Sequence, residues 1–107
     1  MNISVLDIIK SDLATNLTDG VALFEVIKTK KPSEITISFA GVRLISTLFL
    51  NESIGRFATM NSKTIHELQF EYPEGKEMFA HKVDDIIENA LLGDDYDNLV
   101  DNALLSM

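Results

Sequence analysis

The stretch ITISFAGVRLISTLFLNESIGRF, residues Ile35–Phe57, decides the fold. Its first five residues alternate β-branched or aromatic side chains with small polar ones, which is typical of a half-buried strand ending at Phe39. Ala40-Gly41 is expected to turn the chain, and Val42, Leu44 and Ile45 then lead into a helix. The apolar face of that helix recurs at a helical spacing, at Leu50, Ile54 and Phe57.

Strands and a helix are also predicted before this stretch. Residues 2–9 read as a short edge strand and residues 13–17 as a second short strand. The cluster Thr18-Asp19-Gly20 then predicts a turn and cap before an amphipathic helix over residues 21–31. Its apolar side is predicted at Leu23, Phe24, Val26 and Ile27. Pro32 is expected to stop this helix.

After the central stretch, residues 64–68 predict a helical turn and residues 68–72 a strand. Pro73 is expected to open the last helix and Gly93 to end it. The apolar stripe of this helix is predicted at Phe79, Val83, Ile86, Ile87 and Ala90.

Gly55, inside the second helix, predicts a close approach by a neighbouring element, because glycine lowers helix stability there. The order β(β)αβαβα predicts an α/β fold with a largely parallel or mixed sheet.

Composition limits the class of protein. A chain of 107 residues makes one domain, and its 46% apolar content suffices for a packed core. It has no cysteine, which excludes disulfides and thiolate metal sites. No apolar run approaches the ~20 residues of a membrane span, and no signal peptide is indicated. We therefore expect a cytoplasmic protein, and its net charge of −8 argues against nucleic acid or an anionic membrane as partner.

The charge is concentrated at one end. Residues 1–83 hold nine basic and ten acidic residues, a net charge of −1, whereas residues 84–107 hold seven acidic and no basic residues. We therefore divide the chain into a domain over 1–93 and an acidic C-terminal segment over 94–107. Residues 99–105 repeat the sequence of residues 86–92, with four of seven positions identical and the others conservative. The segment is expected either to pack on its own domain, on a second copy or on a partner, or only to solubilise the chain.

The central stretch resembles a known family. Three successive parts of it are similar to the central motif of STAS domains, the fold of bacterial anti-sigma-factor antagonists. They are Phe39-Ala40-Gly41-Val42, Leu44-Ile45 and Ser46-Thr47-Leu48-Phe49-Leu50. Thr18-Asp19-Gly20 and Asn51-Glu52 make it more similar to the STAS-like domains of unknown function, which are small bacterial proteins. The resemblance covers Ile3 to Leu92. It implies a small mixed sheet with helices mainly on one face.

The chain departs from this family at the residue that matters most for regulation. In the antagonists, a kinase phosphorylates the second serine of Asp-Ser-Ser-Gly at a helix tip. In this chain Ser46 takes the place of the Asp, and Thr47 takes the place of the first Ser. Leu48 takes the place of the phosphorylated serine, and Phe49 takes the place of the Gly. Leucine cannot be phosphorylated, so the usual switch is not expected. Thr47 is predicted to cap the helix, with Ser46 as the competing cap, and either hydroxyl is an alternative phosphoacceptor.

The resemblance implies a non-catalytic regulatory module that docks another protein, of kinase-like or other regulatory type, through the loop and helix tip at residues 40–51. The predicted contact residues are Gly41, Arg43, Ser46, Thr47, Leu48, Asn51 and Glu52. For Arg43, an ordinary surface charge is the alternative. Two other functions stay open: a homo-oligomer, such as a homodimer, assembled through the acidic segment, and a small-molecule or nucleotide sensor with a pocket near Thr47–Asn51.

Nothing in the sequence indicates an enzyme, a cofactor or a metal site. The histidines His66 and His81 lie far apart, and helical spacing puts Glu77, His81 and Asp85 on one face that we expect to be solvated. The sequence shows no Ser-His-Asp order with a nucleophile turn, as a catalytic triad would need, and no glycine-rich loop that could bind phosphate.

Overall fold

The computed structural model describes the backbone of residues 1–105 and the side chains of residues 1–92. The strands are β1 (Asn2–Ser4), β2 (Leu13–Ala14), β3 (Thr36–Ser38), β4 (Leu44–Ile45) and β5 (Gln69–Glu71). The helices are α1 (Val5–Ile9), α2 (Leu17–Ile27), α3 (Thr47–Leu50), α4 (Arg56–Met60) and α5 (Glu77–Leu105). A π-helical turn (Asn51–Gly55) joins α3 to α4, and 3₁₀ turns lie at Pro32–Glu34 and Ile65–Glu67.

The strands lie in two small parallel sheets. The first has the order β1-β3-β5, with Ile3, Ile37 and Phe70 side by side across it. The second pairs β2 with β4, placing Ala14 opposite Ile45. Helices connect the parallel strands, as crossover connections require. The predicted α/β class with parallel strands is confirmed, and β1 is an edge strand as expected, although the strands divide between two sheets.

The central strand supplies the middle of the core. Ile35, Ile37 and Phe39 are buried, as their alternation predicts. Phe39 also stacks on Tyr72, with ring centroids 5.8 Å apart. Burial, and then the nearby Asp84 carboxylate, raises the pKa of Tyr72, so its phenol stays neutral and packs as a core aromatic.

The first strand is shorter than predicted, because residues 5–9 form a helix instead of continuing it. The Ser4 hydroxyl oxygen accepts from the Asp7 amide at 3.2 Å and so caps α1 at its start. At the other end Lys10 adopts a left-handed φ of 56°, and its amide donates to the Leu6 carbonyl at 2.8 Å. Two local caps therefore override the strand-like alternation of the sequence.

The first long helix begins and ends earlier than predicted. Asn16 caps α2 by accepting from the Asp19 amide at 2.8 Å, so the predicted second strand stops at Ala14 and Leu17 is helical. Gly20, which the sequence assigned to a turn, is buried within the helix. The helix ends at Ile27, and its predicted apolar side is buried apart from Val26, which is 36% exposed.

The central helix contains a π-helical turn that the sequence did not indicate. Ser53 is fully buried there, and its hydroxyl donates to the Phe49 carbonyl at 2.8 Å. A methyl group added at Gly55 would lie 3.3 Å from a methyl of Ile86, so the predicted close approach is confirmed. Leu44 and Ile45, expected to lead into this helix, form β4 instead because they pair with β2.

The last helix begins later and ends later than predicted. Pro73 lies in a turn, in which the Lys76 amide donates to the Pro73 carbonyl at 3.2 Å and Gly75 has a φ of 78°. Helix α5 starts after this turn, at Glu77. The helix continues through Gly93 to Leu105, because one glycine inside a helix costs only about 1 kcal/mol. Its apolar stripe packs on the core as predicted. The side-chain packing of the acidic segment over 94–107 lies outside the described residues.

Candidate functional site

Two helices begin side by side where two parallel strands end. Strand β2 leads to α2 and strand β4 leads to α3, and the Ser46 amide donates to the Ala14 carbonyl at 3.0 Å. We call the exposed region around the start of α3 the helix-tip surface. It contains the seven residues predicted from the sequence: Gly41, Arg43, Ser46, Thr47, Leu48, Asn51 and Glu52.

Ser46, and not Thr47, caps the helix. The Ser46 oxygen accepts from the Phe49 amide at 3.1 Å, and the same hydroxyl donates to the Thr15 carbonyl at 2.8 Å. Ser46 has the extended backbone of a cap residue, whereas Thr47 is the first helical residue. The prediction of Thr47 as the cap is therefore wrong. Thr47 is exposed at the tip of the helix.

Replacing Ser46 by alanine is expected to lower the free energy of unfolding by about 1 kcal/mol, because the Phe49 amide and the Thr15 carbonyl both lose a partner. Thr47→Ala is the matched control, and we expect it to change stability by less than about 0.5 kcal/mol. Urea unfolding followed by circular dichroism measures both. Equal losses in the two variants would contradict this assignment of the cap.

Apolar side chains are exposed on both sides of the cap. Leu48 is 48% exposed and Leu44 is 54% exposed, whereas Phe49 and Leu50, which follow Leu48, are fully buried. The first turn of the helix thus anchors the tip through Phe49 and Leu50 and leaves Leu48 in water. Leu48, which the resemblance to STAS domains predicts to stand at the phosphoacceptor place, is thus presented at the surface.

The loop that precedes β4 is held by backbone contacts. Gly41 has a φ of 80°, and a side chain there would meet Leu6 at 2.8 Å, so glycine is required. The Arg43 amide donates to the Asp12 carbonyl at 2.7 Å. The Arg43 side chain lies 3.4 Å from the Asp12 carboxylate, but both are more than half exposed, so this ion pair adds little stability.

Asn51 and Glu52 lie one turn further along the helix. Asn51 is exposed at the start of the π-helical turn. Glu52 is half-buried, and its carboxylate lies 3.7 Å from the Arg56 guanidinium, which in turn covers the Phe24 ring at 4.1 Å from the ring centre. Glu52 therefore takes part in the packing between this helix and α2, while Asn51 faces solvent.

Two contacts at this site had no signal in the sequence. The Lys82 ammonium donates to the Ile45 carbonyl at 3.2 Å, which ties α5 to the end of β4. A methyl group added at Gly20 would lie 2.7 Å from the Phe49 carbonyl oxygen, so α2 crosses the start of the central helix in direct backbone contact. Both contacts join residues far apart in the chain, and no local pattern marks them.

The histidines stay apart from this site. His66 and His81 are exposed, and so are Glu77 and Asp85 on the same helix as His81. Over the residues that the structure describes, no three histidines or carboxylates are grouped so that they could hold a metal ion. Within that same range, every helix is too short or too polar to cross a lipid bilayer.

The fold and this site define a small α/β domain in which parallel strands lead into capped helices at one exposed tip. Residues 19–70 match the family described as STAS-like domains of unknown function. The match runs from the first turn of α2 to β5 and contains the whole helix-tip surface. The resemblance predicted from the sequence is thereby confirmed. The chain matches no curated protein and no solved structure.

Proposed function

We propose that this domain is a non-catalytic regulatory module that docks a partner protein through the helix-tip surface. The observation that carries the proposal is the exposure of Leu48, 48% of whose surface is in water at the place where related domains carry a regulatory serine. The family resemblance suggests a kinase-like or other regulatory protein as the partner. A large apolar side chain held in water on a rigid helix is a suitable anchor for such a contact.

The surface around Leu48 has the composition of a small protein interface. Leu44 adds a second exposed apolar side chain, and Thr47 and Asn51 are polar neighbours that can form hydrogen bonds. An apolar centre with a polar rim is the common arrangement at protein interfaces. The Arg43–Asp12 pair carries no net charge, which favours a partner that is recognised mainly by shape and apolar contact.

Of the two hydroxyls at the helix tip, that of Thr47 is the one open to phosphorylation. The Ser46 hydroxyl is engaged in two hydrogen bonds that position the helix, whereas Thr47 is exposed beside Leu48. A phosphate on Thr47 would place negative charge at the helix start, where the helix dipole stabilises it, and next to the apolar anchor, where it would oppose docking.

Leu48→Glu tests the proposed docking surface. The new carboxylate lies in the first turn of the helix, where the dipole favours it, so we expect the fold to persist and the partner to be lost. The matched control is Met60→Glu, which alters another exposed apolar residue, 57% exposed on α4. Quantitative capture from lysate of the source cells should show a protein bound by the wild type and by Met60→Glu, and depleted about tenfold or more by Leu48→Glu.

A related measurement tests whether Thr47 is phosphorylated. Intact-mass measurement of the recovered protein after incubation with ATP should show a single phosphate, absent from Thr47→Ala. An identical set of captured proteins for wild type and Leu48→Glu would contradict docking through this surface, whatever the state of Thr47.

A further inference from the structure

A second surface, which adjoins the helix-tip surface at Arg43 and Leu44, combines apolar and positive character. A groove of about 310 Å³ lies between β4 and the start of α5, and we call it the basic groove. Its exposed apolar side chains are Leu44 and Met78, which are 54% and 66% exposed. The residues that line it include Arg43, Lys76 and Lys82 and no acidic residue. In a chain of net charge −8, this is a local concentration of positive charge.

The charges of the groove are available to a ligand. The Lys82 ammonium is held by a neutral carbonyl, that of Ile45, at 3.2 Å. Lys76 lies over the Phe79 ring at 5.9 Å from the ring centre. Arg43 shares Asp12, but that pair is exposed and weak. Glu77, next to Lys76, is exposed at the helix start and is absent from the groove lining.

The chain itself carries a segment with the complementary properties. Residues 94–107 contain four aspartates and no basic residue. At helical spacing, Leu99, Val100, Ala103 and Leu104 fall on one face, and Asp95 and Asp97 flank that face on its two sides. An apolar face with a carboxylate on each side matches an apolar groove lined by basic side chains.

The segment cannot reach the groove of its own molecule while α5 is continuous. Lys76 directly precedes α5, Met78 and Lys82 lie in its first turns, and the helix runs without a break to Leu105. Leu99 is therefore about 25 Å beyond Lys82 along the same axis, at about 1.5 Å of rise per residue. Only a second molecule can place its acidic segment in the groove.

We propose that two copies of the chain associate through antiparallel α5 helices, each inserting the acidic segment at residues 94–107 into the basic groove of the other. The arrangement is two-fold symmetric, so both groove–segment contacts form together. It also places the carboxylates of each segment near the positive start of the partner's α5, which relieves their unfavourable position at the end of their own helix.

Lys76→Glu tests the charge complementarity. It lies just before α5, where a carboxylate suits the helix dipole, so the fold is expected to be retained. We expect sedimentation of the full chain at low salt to show twice the monomer mass. Dimerisation should weaken about fivefold or more in Lys76→Glu and with rising salt. Lys63→Glu, the same change on an exposed loop residue away from the groove, is the control and should dimerise like the wild type. A monomer at every concentration, or a dimer equally strong in Lys76→Glu, would overturn the proposal.

Crosslinking locates the contact. Because the chain has no cysteine, single cysteines can be introduced without background. Mixed Met78→Cys and Ala103→Cys molecules should be joined by a bismaleimide several-fold faster than mixed Met60→Cys and Ala103→Cys molecules. Equal rates would refute the antiparallel arrangement. The groove shares Arg43 and Leu44 with the docking surface, but Lys76 and Met78 lie outside it, so these two experiments test dimerisation separately from the Leu48→Glu capture.

Discussion

Gly20→Ala is expected to destabilise the domain by about 2 kcal/mol or more, although alanine is the better helix former by about 1 kcal/mol. The added methyl group would lie 2.7 Å from the Phe49 carbonyl oxygen and 2.9 Å from the Glu52 Cβ. A backbone carbonyl cannot turn aside as a flexible side chain can. The two helices must therefore separate, and the packing between α2 and the central helix is lost.

Chemical denaturation of Gly20→Ala and Gly55→Ala measures this effect. Gly55→Ala is the matched control, because the nearest neighbour of its methyl group would be a side-chain methyl of Ile86 at 3.3 Å, which can shift, and its other neighbours lie at ordinary contact distances of 3.5 Å or more. We expect Gly55→Ala to stay within about 1 kcal/mol of the wild type, since better helix propensity offsets mild crowding. Equal stability of Gly20→Ala and the wild type would show that the two helices are not in backbone contact.

Phe49→Gly is expected to cost about 4–6 kcal/mol and to leave little folded protein. The Phe49 side chain is fully buried. Its removal creates a cavity between α2 and the central helix, and glycine adds backbone entropy to the unfolded chain. The core of this protein therefore requires a large apolar side chain at position 49.

Thermal unfolding followed by circular dichroism separates this effect from a general sensitivity of the helix tip. Leu48→Ala, at the adjacent and half-exposed position, should cost less than about 1 kcal/mol. Phe49→Leu keeps most of the buried volume and should lie between the two. A cooperative transition for Phe49→Gly at the temperature of the wild type would contradict the role assigned to the ring.

Much of the fold could be predicted from local patterns. Alternation over Ile35–Phe39 predicts the central strand, and helical spacing from Phe79 to Ile86 predicts the buried stripe of α5; the structure confirms both. The element boundaries were less predictable. Val5–Ile9 looked like a strand because apolar residues dominate it, but Ser4 and Lys10 cap it as a helix. Several local patterns can fit one short segment, and tertiary contacts choose among them.

The candidate site, too, could be predicted only in part from the sequence. The motif placed the loop and helix tip at residues 40–51, and the structure exposes Leu44, Thr47 and Leu48 there. The sequence favoured Thr47 over Ser46 as the cap, and this was wrong, because both residue types can cap a helix and local pattern does not fix which of two neighbours does so. The Thr15 carbonyl, 31 residues earlier in the chain, decides for Ser46.

The sequence by itself determined the α/β class, the buried faces, the resemblance to the family, and the division into a nearly neutral body and an acidic end. These features depend on composition and on patterns within short windows of sequence. The tertiary structure alone decided the crossing at Gly20, the bond from Lys82 to Ile45 and the basic groove beside it. Each of these joins residues that are distant along the chain, and only packing brings them within contact distance.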